Sequence, residues 1–445
     1  SREQLSVRKS CQQKIFCAES GWNGYFAYCR FLSGYGHMRQ NQKFSIAVLS
    51  VLYMTPFCPG RSVSRNGKAS VNKQSIYDKE ELAAWIRLVM TPGIGIRTAH
   101  KLLSAYGLPQ HVFGTSYREL QRIVSPQIAD AVYAPVSPAI SRQIELTEKW
   151  LEEPGNTILT LSDSAYPGTL LEIPDPPLML YVKGKSELLS APSVAIVGSR
   201  NATTQGRIDA GEFAASLSDA GLTIVSGLAL GIDAAAHRGG LKGKGSTVAV
   251  IGTGADMVYP ARNRELAHEI AREGCIVSEF PLGTKPLASN FPRRNRVISG
   301  LSAGIVVVEA AARSGSLITA QMALEQGREV FAVPGSIHSP LSRGCHELIR
   351  QGAKLVETSR DILEELKYYD GANRKDTCIQ ASGGSSLQED ILAEMGFDPV
   401  DADTLCERCQ LDAATLNVAL FDLEMAGNIE CLPGGFYRRL SKPDT

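Results

Sequence analysis

Four cations and no acid lie between Lys285 and Arg296, in a chain whose 46 Lys and Arg residues balance its 46 Asp and Glu residues. One aromatic ring and two amides are interleaved with these cations. Cations neutralise backbone phosphates and an aromatic ring stacks on an unpaired base, so the pattern predicts contact with single-stranded nucleic acid. The candidate contact residues are Lys285, Asn290, Phe291, Arg293, Arg294, Asn295 and Arg296. The alternative interpretation is a charged loop that faces only solvent.

Three turns that contain glycine and serine predict a second kind of contact, through backbone N–H groups. In the first, Gly198 allows close approach of the backbone, Ser199 is a donor and Arg200 offers a planar guanidinium that fits a phosphate. The other two contain Ser226-Gly227 and Gly315-Ser316. The last opens a predicted helix whose N-terminus favours an anion, with ordinary capping as the alternative. None has the G-x-G-x-x-G spacing of a dinucleotide site, and we expect no cofactor.

Two other pairs of side chains could carry chemistry. Asp233 and His237 lie four positions apart, on one face of a predicted helix, and could exchange a proton. The favoured alternative is that Asp233 caps the helix N-terminus, with a histidine nearby. Cys406-x-x-Cys409 has half the spacing of a zinc site, but no second pair follows at finger spacing, so two cysteines on a helix face are favoured. No paired carboxylates mark a strand-end loop, which argues against a metal-dependent nuclease.

The elements that must position these residues follow a regular rhythm. From residue 191 to residue 366, short apolar stretches rich in β-branched residues alternate with segments of helix length. This rhythm predicts the α/β class, with a doubly wound, Rossmann-like parallel sheet covered by helices on both faces. Ligands of such sheets bind beyond the carboxyl ends of the strands, where the candidate turns lie. The predicted strands are 194–197, 223–225, 247–251, 276–278, 305–308, 330–333 and 354–356.

Smaller units flank the predicted sheet domain. Residues 76–153 are helical, and the Pro-Gly-Ile-Gly turn at 92–95 predicts a helix-hairpin-helix unit of the SAM-like kind, with a plain helical hairpin as the alternative. Residues 154–190 are a predicted connector with short strands. A polar linker at 367–386 precedes a predicted winged helix at 387–445, made of three helices and a hairpin.

Residues 1–75 show no clear periodicity. An apolar run at 44–53 follows a basic stretch and imitates a signal peptide. No cleavage site follows cleanly, so the favoured interpretation is an extension that is disordered or lies upstream of the true start.

Composition narrows the class of protein. Apolar residues make up 44% of the 445 residues, but no apolar run reaches the roughly 18 to 20 residues of a membrane span, and no membrane partner is expected. The ten cysteines are too scattered for a secreted disulfide scaffold. Reduced thiols and a cytoplasmic location are therefore expected.

The C-terminal unit is acidic. Between residues 380 and 445, twelve acids stand against four bases, a net charge of −8. The predicted recognition helix at 413–425 contains no base but holds Asp422 and Glu424. A winged helix that reads duplex DNA presents a basic helix to the groove. We therefore expect this unit to bind protein, or to dock on the chain's own basic groove, and not to read a duplex.

Six ordered motifs resemble the bacterial DNA-processing protein A family (DprA, also called Smf). They lie at 194–200, 226–237, 278–281, 290–296, 309–320 and 334–336. The resemblance is strong over residues 78–366, looser over the winged tail and absent from residues 1–75. It implies a cytoplasmic recombination mediator without catalysis, which protects incoming single-stranded DNA in natural transformation, loads the RecA recombinase and forms a homodimer through its Rossmann-like domain.

The resemblance also implies roles for individual residues. DNA contact falls on Arg200 and on residues 290–296, whereas Lys285 lies outside the matched motif. The residues implied to line the crevice are Gly198, Ser199, Ser226, Gly227, Gly315 and Ser316.

The chief alternative is an enzyme, of the phosphoribohydrolase group that hydrolyses nucleoside monophosphates on a similar fold. That group carries a Gly-Gly-x-Gly-Thr-x-x-Glu turn, comparable with residues 313–319. Thr319 stands where the catalytic carboxylate would be and Ser316 replaces the threonine, so acid–base chemistry has no obvious agent. A purely structural protein-binding module is the second alternative, and the acid-free stretch at 285–296 argues against it.

Overall fold

The computed structural model describes residues 78–368 and 387–440 of the chain. A helical region, a large sheet flanked by helices and a small C-terminal unit follow one another within these residues. The interpretation of residues 1–75 lies outside the described residues, as does most of the predicted linker at 367–386. Among the helices of the described ranges, none is long and apolar enough to cross a membrane.

The first region is helical, as predicted. Helices α1 (Lys79–Met90) and α2 (Ile96–Tyr106) are joined by a short turn in which Gly93 has a φ of +81°, a conformation that glycine adopts without strain. Trp85 of α1 and Leu102 of α2 belong to one buried cluster. Two packed helices and a glycine turn are thus present where a helix-hairpin-helix was predicted. The region continues with α3 (Pro109–Gly114), α4 (Tyr117–Leu120), α5 (Pro126–Tyr133) and α6 (Pro138–Leu151).

Nine strands form one sheet in the middle of the chain. They are β1 (Asn156–Thr160), β2 (Met179–Gly184), β3 (Ser193–Gly198), β4 (Thr223–Ser226), β5 (Thr247–Val250), β6 (Cys275–Ser278), β7 (Gly304–Val308), β8 (Glu329–Ala332) and β9 (Lys354–Leu355). Their order across the sheet is β1-β2-β6-β5-β4-β3-β7-β8-β9. The strands from β3 onward pair in parallel, and the order reverses direction between β3 and β7.

Helices cover both faces of this sheet. Val194 and Ile196 of β3 are buried in a cluster with one set of helices, while Ala195 and Val197 are buried in a cluster with the other set. Because successive strand residues point to opposite faces, this alternation confirms the doubly wound prediction. The helices are α7 (Gly168–Leu171), α8 (Thr204–Asp219), α9 (Ile232–Gly240), α10 (Arg264–Glu273), α11 (Asn290–Leu301), α12 (Gly315–Glu325), α13 (Arg343–Arg350) and α14 (Ser359–Glu365).

The predicted connector at 154–190 contributes strands to the sheet. β1 pairs with β2, and β2 pairs with β6, both in antiparallel register. Leu180 and Val182 are buried in the cluster of the sheet domain, whereas Tyr181 is buried in the cluster of the helical region. Because β2 has apolar residues on both faces, it is stable only where both faces are covered. It meets this condition by pairing with β6 at the edge of the sheet, with the helical region packed on its other face. The predicted parallel sheet therefore gains two antiparallel strands at one edge and is mostly parallel.

The C-terminal unit has the element order of a winged helix, as predicted. It contains α15 (Leu387–Met395), β10 (Val400–Asp401), α16 (Ala402–Cys409), α17 (Ala413–Met425), β11 (Ile429–Leu432) and β12 (Phe436–Arg439). The strands are ordered β10-β12-β11. Ile391, Leu405 and Leu420 form part of its buried core, and Cys406 and Cys409 of α16 pack against that core.

Candidate nucleic-acid interface

The candidate residues lie along the edge of the sheet formed by the carboxyl ends of its parallel strands. The helices α8, α9 and α12 begin just after β3, β4 and β7, and α11 follows β6. Their N-termini therefore face this edge and give it a positive partial charge. The order of strands reverses here between β3 and β7, which is where open α/β sheets form a crevice.

The last position of β3, before the turn, leaves room only for glycine. A Cβ on Gly198 would lie 1.9 Å from the carbonyl oxygen of Val308 in the neighbouring strand. The Ser199 N–H donates to the carbonyl oxygen of Glu309 at 2.8 Å, which fixes the turn against the end of β7. Arg200 follows and is exposed at the edge.

The cationic stretch is a helix over most of its length, which corrects the expectation of a loop. α11 begins at Asn290, so residues 290–296 form its first two turns. Asn290, Arg294, Val297 and Leu301 recur at helical spacing and are all buried. Two of these buried positions hold polar side chains, so the apolar periodicity that would have predicted a helix is absent from the sequence.

The ring of Phe291 lies at the centre of the candidate site. It is half-buried, at the start of α11, and it packs so closely on Gly252 that a Cβ there would lie 3.2 Å from the ring. The guanidinium of Arg200 is 5.7 Å from the ring centroid, and that of Arg294 is 6.0 Å away. Both distances allow cation–π attraction, so this ring and the two arginines form one cluster.

Arg294 is buried and bonded within the protein. Its Nη1 donates to the carbonyl oxygens of Gly227 and, at 2.5 Å, of Val250. A Cβ on Gly227 would lie 2.1 Å from this nitrogen, so the glycine makes space for the guanidinium. Burial lowers the pKa of Arg294 to about 10, the Asp233 carboxylate opposes that shift, and the side chain stays charged at neutral pH. Arg294 therefore positions α11 against β4 and β5.

Arg296 is also buried and joins α11 to the end of β6 and to the segment between β1 and β2. It forms an ion pair with the buried Glu279 and donates to the carbonyl oxygen of Asp175, whose carboxylate is 3.7 Å from its Nε. Burial raises the pKa of Glu279, and Arg296 and Arg293 oppose that shift. Two of the four cations between Lys285 and Arg296, Arg294 and Arg296, are thus buried against partners inside the fold.

The other predicted residues of this stretch differ in accessibility. Lys285 and Arg293 are exposed, and Arg293 lies 3.7 Å from Glu279 and over the ring of Phe280. Asn295 is half-buried. Asn290 is buried, and its amide donates to the carbonyl oxygen of Gly252 at 3.1 Å. Arg200, Lys285 and Arg293 are consequently the predicted cations that can reach a ligand.

The small residues of the other two turns also differ in whether they are buried or exposed. Ser226 is fully buried and its hydroxyl donates to the carbonyl oxygen of Ile196 at 2.6 Å, so it joins β4 to β3. Gly315 is exposed at the start of α12, whereas Ser316 is buried behind it. The Ser314 hydroxyl accepts from the Ser316 N–H, which is ordinary capping.

Asp233 and His237 are structural. The Asp233 carboxylate accepts from the N–H groups of Gly227 and Ala229, so it holds the turn after β4. His237 Nε2 accepts from the Leu228 N–H at 3.2 Å, and its Nδ1 is 2.7 Å from the Thr247 hydroxyl. Burial lowers the pKa of His237 to about 3, so the ring is neutral and cannot relay protons near pH 7. Asp233 braces the turn before the helix instead of capping the helix.

Tyr259 belongs to the site but was not selected from the sequence. Its ring centroid lies 5.8 Å from that of Phe291, and 46% of the residue is exposed. The signal was present, because an aromatic residue lies in the loop after the third predicted strand, at the same sheet edge as the other candidates.

Comparisons with known proteins identify relatives of this chain. The family model described as DNA recombination-mediator protein A matches residues 157–367, and the DprA winged helix domain matches residues 380–435. Protein Smf of Escherichia coli is 43% identical over 305 residues, which cover 67% of this chain and 81% of that protein. The DNA processing protein DprA of Streptococcus pneumoniae is 47% identical over 223 residues, which cover 50% of this chain and 78% of that protein.

A solved structure leads to the same assignment. The X-ray structure of DprA from Streptococcus pneumoniae matches with a TM-score of 0.52 and 39% identity, over 64% of this chain and 97% of that one. The winged-helix prediction is confirmed by the second family model. The chain therefore belongs to the DprA/Smf family, as the ordered motifs indicated.

Proposed function

We propose that this chain binds single-stranded DNA at the carboxyl edge of its sheet and acts as a recombination mediator in natural transformation. The observation that carries the proposal is the 5.7 Å separation between the Arg200 guanidinium and the Phe291 ring. It places a phosphate-binding cation beside a half-exposed aromatic surface, which is the combination that single-strand binding requires. The family's description as a recombination mediator supports the same role.

Binding in this proposal is electrostatic and involves no catalysis. Arg200, Lys285 and Arg293 neutralise phosphates, and the N-termini of α11 and α12 add fixed partial charges. A base of the single strand stacks on Phe291. A duplex offers no such base, because its bases are already stacked and paired. The site should therefore prefer single strands, with little dependence on base sequence.

The alternative of a phosphoribohydrolase has no support in the turn at 313–319. Thr319, which stands where that group has its carboxylate, is buried, and its hydroxyl donates to the carbonyl oxygen of Gly315 at 3.4 Å. The nearest strand-end carboxylate, that of Glu309, accepts from the N–H and the hydroxyl of Thr203. The Thr319 hydroxyl is bonded within helix α12 and the Glu309 carboxylate holds the turn before α8, so neither is placed as an acid or base.

Loading of RecA in the cytoplasm and action as a homodimer are part of the proposal and rest on family membership. One feature of the fold supports dimer formation. Among the strands in the described ranges, β9 is the last at one edge of the sheet, and its Lys354 and Leu355 are both exposed. An open strand edge beside an exposed apolar side chain is a surface that a second copy can cover.

The winged helix has a different part in the proposal, as a docking unit for protein. Helix α17, which would enter the groove in a duplex reader, exposes Val418, Phe421 and Met425 by 65%, 62% and 74%. These residues are three and four positions apart and therefore lie on one face. Exposed apolar side chains beside Asp422 fit a protein surface better than a DNA backbone.

Fluorescence anisotropy of the full chain tests the proposal, with labelled oligo-dT and a duplex of equal length across a salt series. Tight binding that prefers the single strand and weakens steeply with salt is expected. Arg200→Ala should lower the affinity and flatten the salt dependence. Arg360→Ala is the matched control, because Arg360 is also an exposed arginine, lies on α14 and pairs with Glu364. No binding at low salt would refute the proposal.

A further inference from the structure

The loop after β5 presents an aromatic side chain beside the ring that is proposed to stack on a base. Tyr259 and Phe291 have ring centroids 5.8 Å apart and planes inclined by 41°. This tilt shows that the rings do not close on each other as a parallel stack. Tyr259 is 46% exposed, so much of it remains open to a ligand.

The loop that carries Tyr259 is held at both ends. The Thr253 hydroxyl donates to the carbonyl oxygen of Met257 at 2.9 Å, before the tyrosine. The Asn263 amide, after the tyrosine, donates to the carbonyl oxygens of Leu228 and Ala229 at 2.9 and 3.1 Å. The loop is thus joined to the turn after β4, and an exposed ring on a fixed loop loses little conformational freedom when a ligand binds.

The same loop is also bonded to helix α11. The Asn290 amide donates to the carbonyl oxygen of Gly252, and Arg294 donates to that of Val250. These bonds fix the start of α11, and with it Phe291, relative to the loop of Tyr259. The bonds between the loop and α11 therefore fix the distance between the backbone positions that carry the two rings.

The charge around the two rings indicates the chemistry of the ligand. Arg200 lies over Phe291 at 5.7 Å, and the exposed Arg262 follows Tyr259 by three positions. Within the described residues, neither Arg200 nor Arg262 forms an ion pair with a carboxylate. Two neighbouring rings flanked by cations fit a chain of bases joined by phosphates, because each base offers a flat face and each link a negative charge.

We infer that Tyr259 is a second base-stacking residue, which extends the surface of Phe291 so that two nucleotides of one strand are held by adjacent rings. This inference rests on the proposed function, since it assigns a further contact in the same single-strand site. The ring supplies the contact and the hydroxyl is not needed. Tyr259 therefore contributes to affinity through bases, while Arg200 contributes through phosphates.

Anisotropy of the full chain with oligo-dT and with an abasic oligonucleotide of equal length separates the two contributions. Tyr259→Leu should weaken binding to oligo-dT about tenfold, within the range measured for loss of one stacked base. The slope of log affinity against log salt should not change, because no phosphate contact is lost. Binding of the abasic oligonucleotide should be the same in Tyr259→Leu and in the natural chain.

Three further variants make the result specific. Tyr259→Phe should bind as the natural chain does, because the ring is kept. Arg200→Ala should flatten the salt slope by about 0.7, the value for one phosphate of a single strand. Tyr133→Leu is the matched control, since Tyr133 is a similarly exposed tyrosine in the helical region.

The outcomes distinguish this inference from the proposed function. If the natural chain does not bind oligo-dT, the proposed function fails and the inference fails with it. If the natural chain binds and Arg200→Ala weakens it, but Tyr259→Leu does not, the inference alone is overturned. It is also overturned if Tyr259→Phe weakens binding as much as Tyr259→Leu, since the hydroxyl and not the ring would then make the contact.

Discussion

The Nη1 of Arg294 donates to the carbonyl oxygen of Val250 at 2.5 Å, and this bond joins the start of helix α11 to the end of strand β5. It connects positions 44 residues apart in the chain. The same nitrogen also donates to the carbonyl oxygen of Gly227, so one guanidinium links α11 with two strand ends. Because Phe291 lies one turn earlier on α11, the bond also determines where that ring is held.

The main effect of replacing Arg294 should therefore be a loss of folding stability and not the loss of a direct contact with a ligand. In Arg294→Met the side-chain stem keeps much of its packing, but two buried carbonyl oxygens and the Asp233 carboxylate lose a charged partner. We expect the free energy of unfolding to fall by roughly 3 kcal/mol, because two buried carbonyl oxygens lose a charged hydrogen-bond donor. Chemical denaturation monitored by tryptophan fluorescence measures this change.

Arg293→Met is the matched control for this prediction. Arg293 is the preceding residue on the same helix, but 57% of its side chain is exposed. Its replacement should change the free energy of unfolding by less than about 0.5 kcal/mol. Equal losses from the two variants would contradict the structural role of Arg294.

Two glycines of the candidate site should respond very differently to an added methyl group. In Gly198→Ala the Cβ would lie 1.9 Å from the Val308 carbonyl oxygen, so β3 and β7 would have to move apart. A loss of about 2 kcal/mol or more is expected from such overpacking. Gly315→Ala meets nothing within 4 Å and should be tolerated, with a slight gain from helix propensity. Thermal unfolding of the two variants decides the matter, and similar melting temperatures would show that the turn after β3 has room to adjust.

Much of this architecture could be predicted from the sequence, because its causes are local. Runs such as residues 194–197 are apolar and β-branched, and their alternation with helix-length segments leads directly to a doubly wound sheet. Tyr181 is a residue for which this local reasoning was not sufficient. It belongs to a stretch interpreted as a connector, and only the helical region packed against Tyr181 explains why the stretch joins the sheet as a strand.

The candidate site was less predictable for a similar reason. Arg294 and Arg296 have the same sequence signature as exposed cations, but their partners are distant backbone carbonyls and the carboxylate of Glu279, 17 residues away. Nothing in a charge pattern distinguishes an arginine that meets a phosphate from one that meets a carbonyl. Arg200 and Phe291 lie 91 positions apart in the numbering and come together only because the connection from β6 to β7, which contains α11, crosses the ends of the strands between them.

The buried His237 should make stability depend on pH in a defined window. Its pKa is about 3 in the folded chain, lowered by burial and then by Arg294 and Arg238, against a value near 6.5 when unfolded. The unfolded chain thus takes up a proton that the folded chain does not. The contribution is fully present above pH 6.5 and is lost as the pH falls from there toward 3. Between pH 7.5 and pH 5.5 the free energy of unfolding should decrease by about 1.4 kcal/mol from this group.

Denaturant unfolding at the two pH values, repeated with His237→Gln, isolates this contribution. The variant is expected to be less stable at pH 7.5, because the bonds to Leu228 and Thr247 are altered, but its decrease toward pH 5.5 should be smaller by that amount. His268→Gln removes an exposed histidine and should retain the decrease of the natural chain. If His237→Gln keeps the full decrease, the titration arises elsewhere in the chain.

Helix α17 should take no part in binding DNA. Phe421→Asp places a negative charge at the centre of the helix that a duplex-reading winged helix inserts into the groove, at a position that is exposed and tolerates the change. If α17 docks on protein, affinities for oligo-dT and for a duplex should both stay within about twofold of the natural chain, since no contact between this helix and DNA exists to be lost.

Anisotropy with both DNA forms at physiological salt measures these affinities, and Arg200→Ala serves as the positive control because it should lower affinity for oligo-dT in the same assay. A second variant, which makes the helix more positive, completes the test. Asp422→Lys replaces an anion with a cation beside the exposed apolar face, and it should raise duplex affinity only by the weak, salt-sensitive increment that a net change of two charges gives. A severalfold loss of duplex binding in Phe421→Asp, with oligo-dT binding unchanged, would show that the acidic unit reads duplex DNA in spite of its charge.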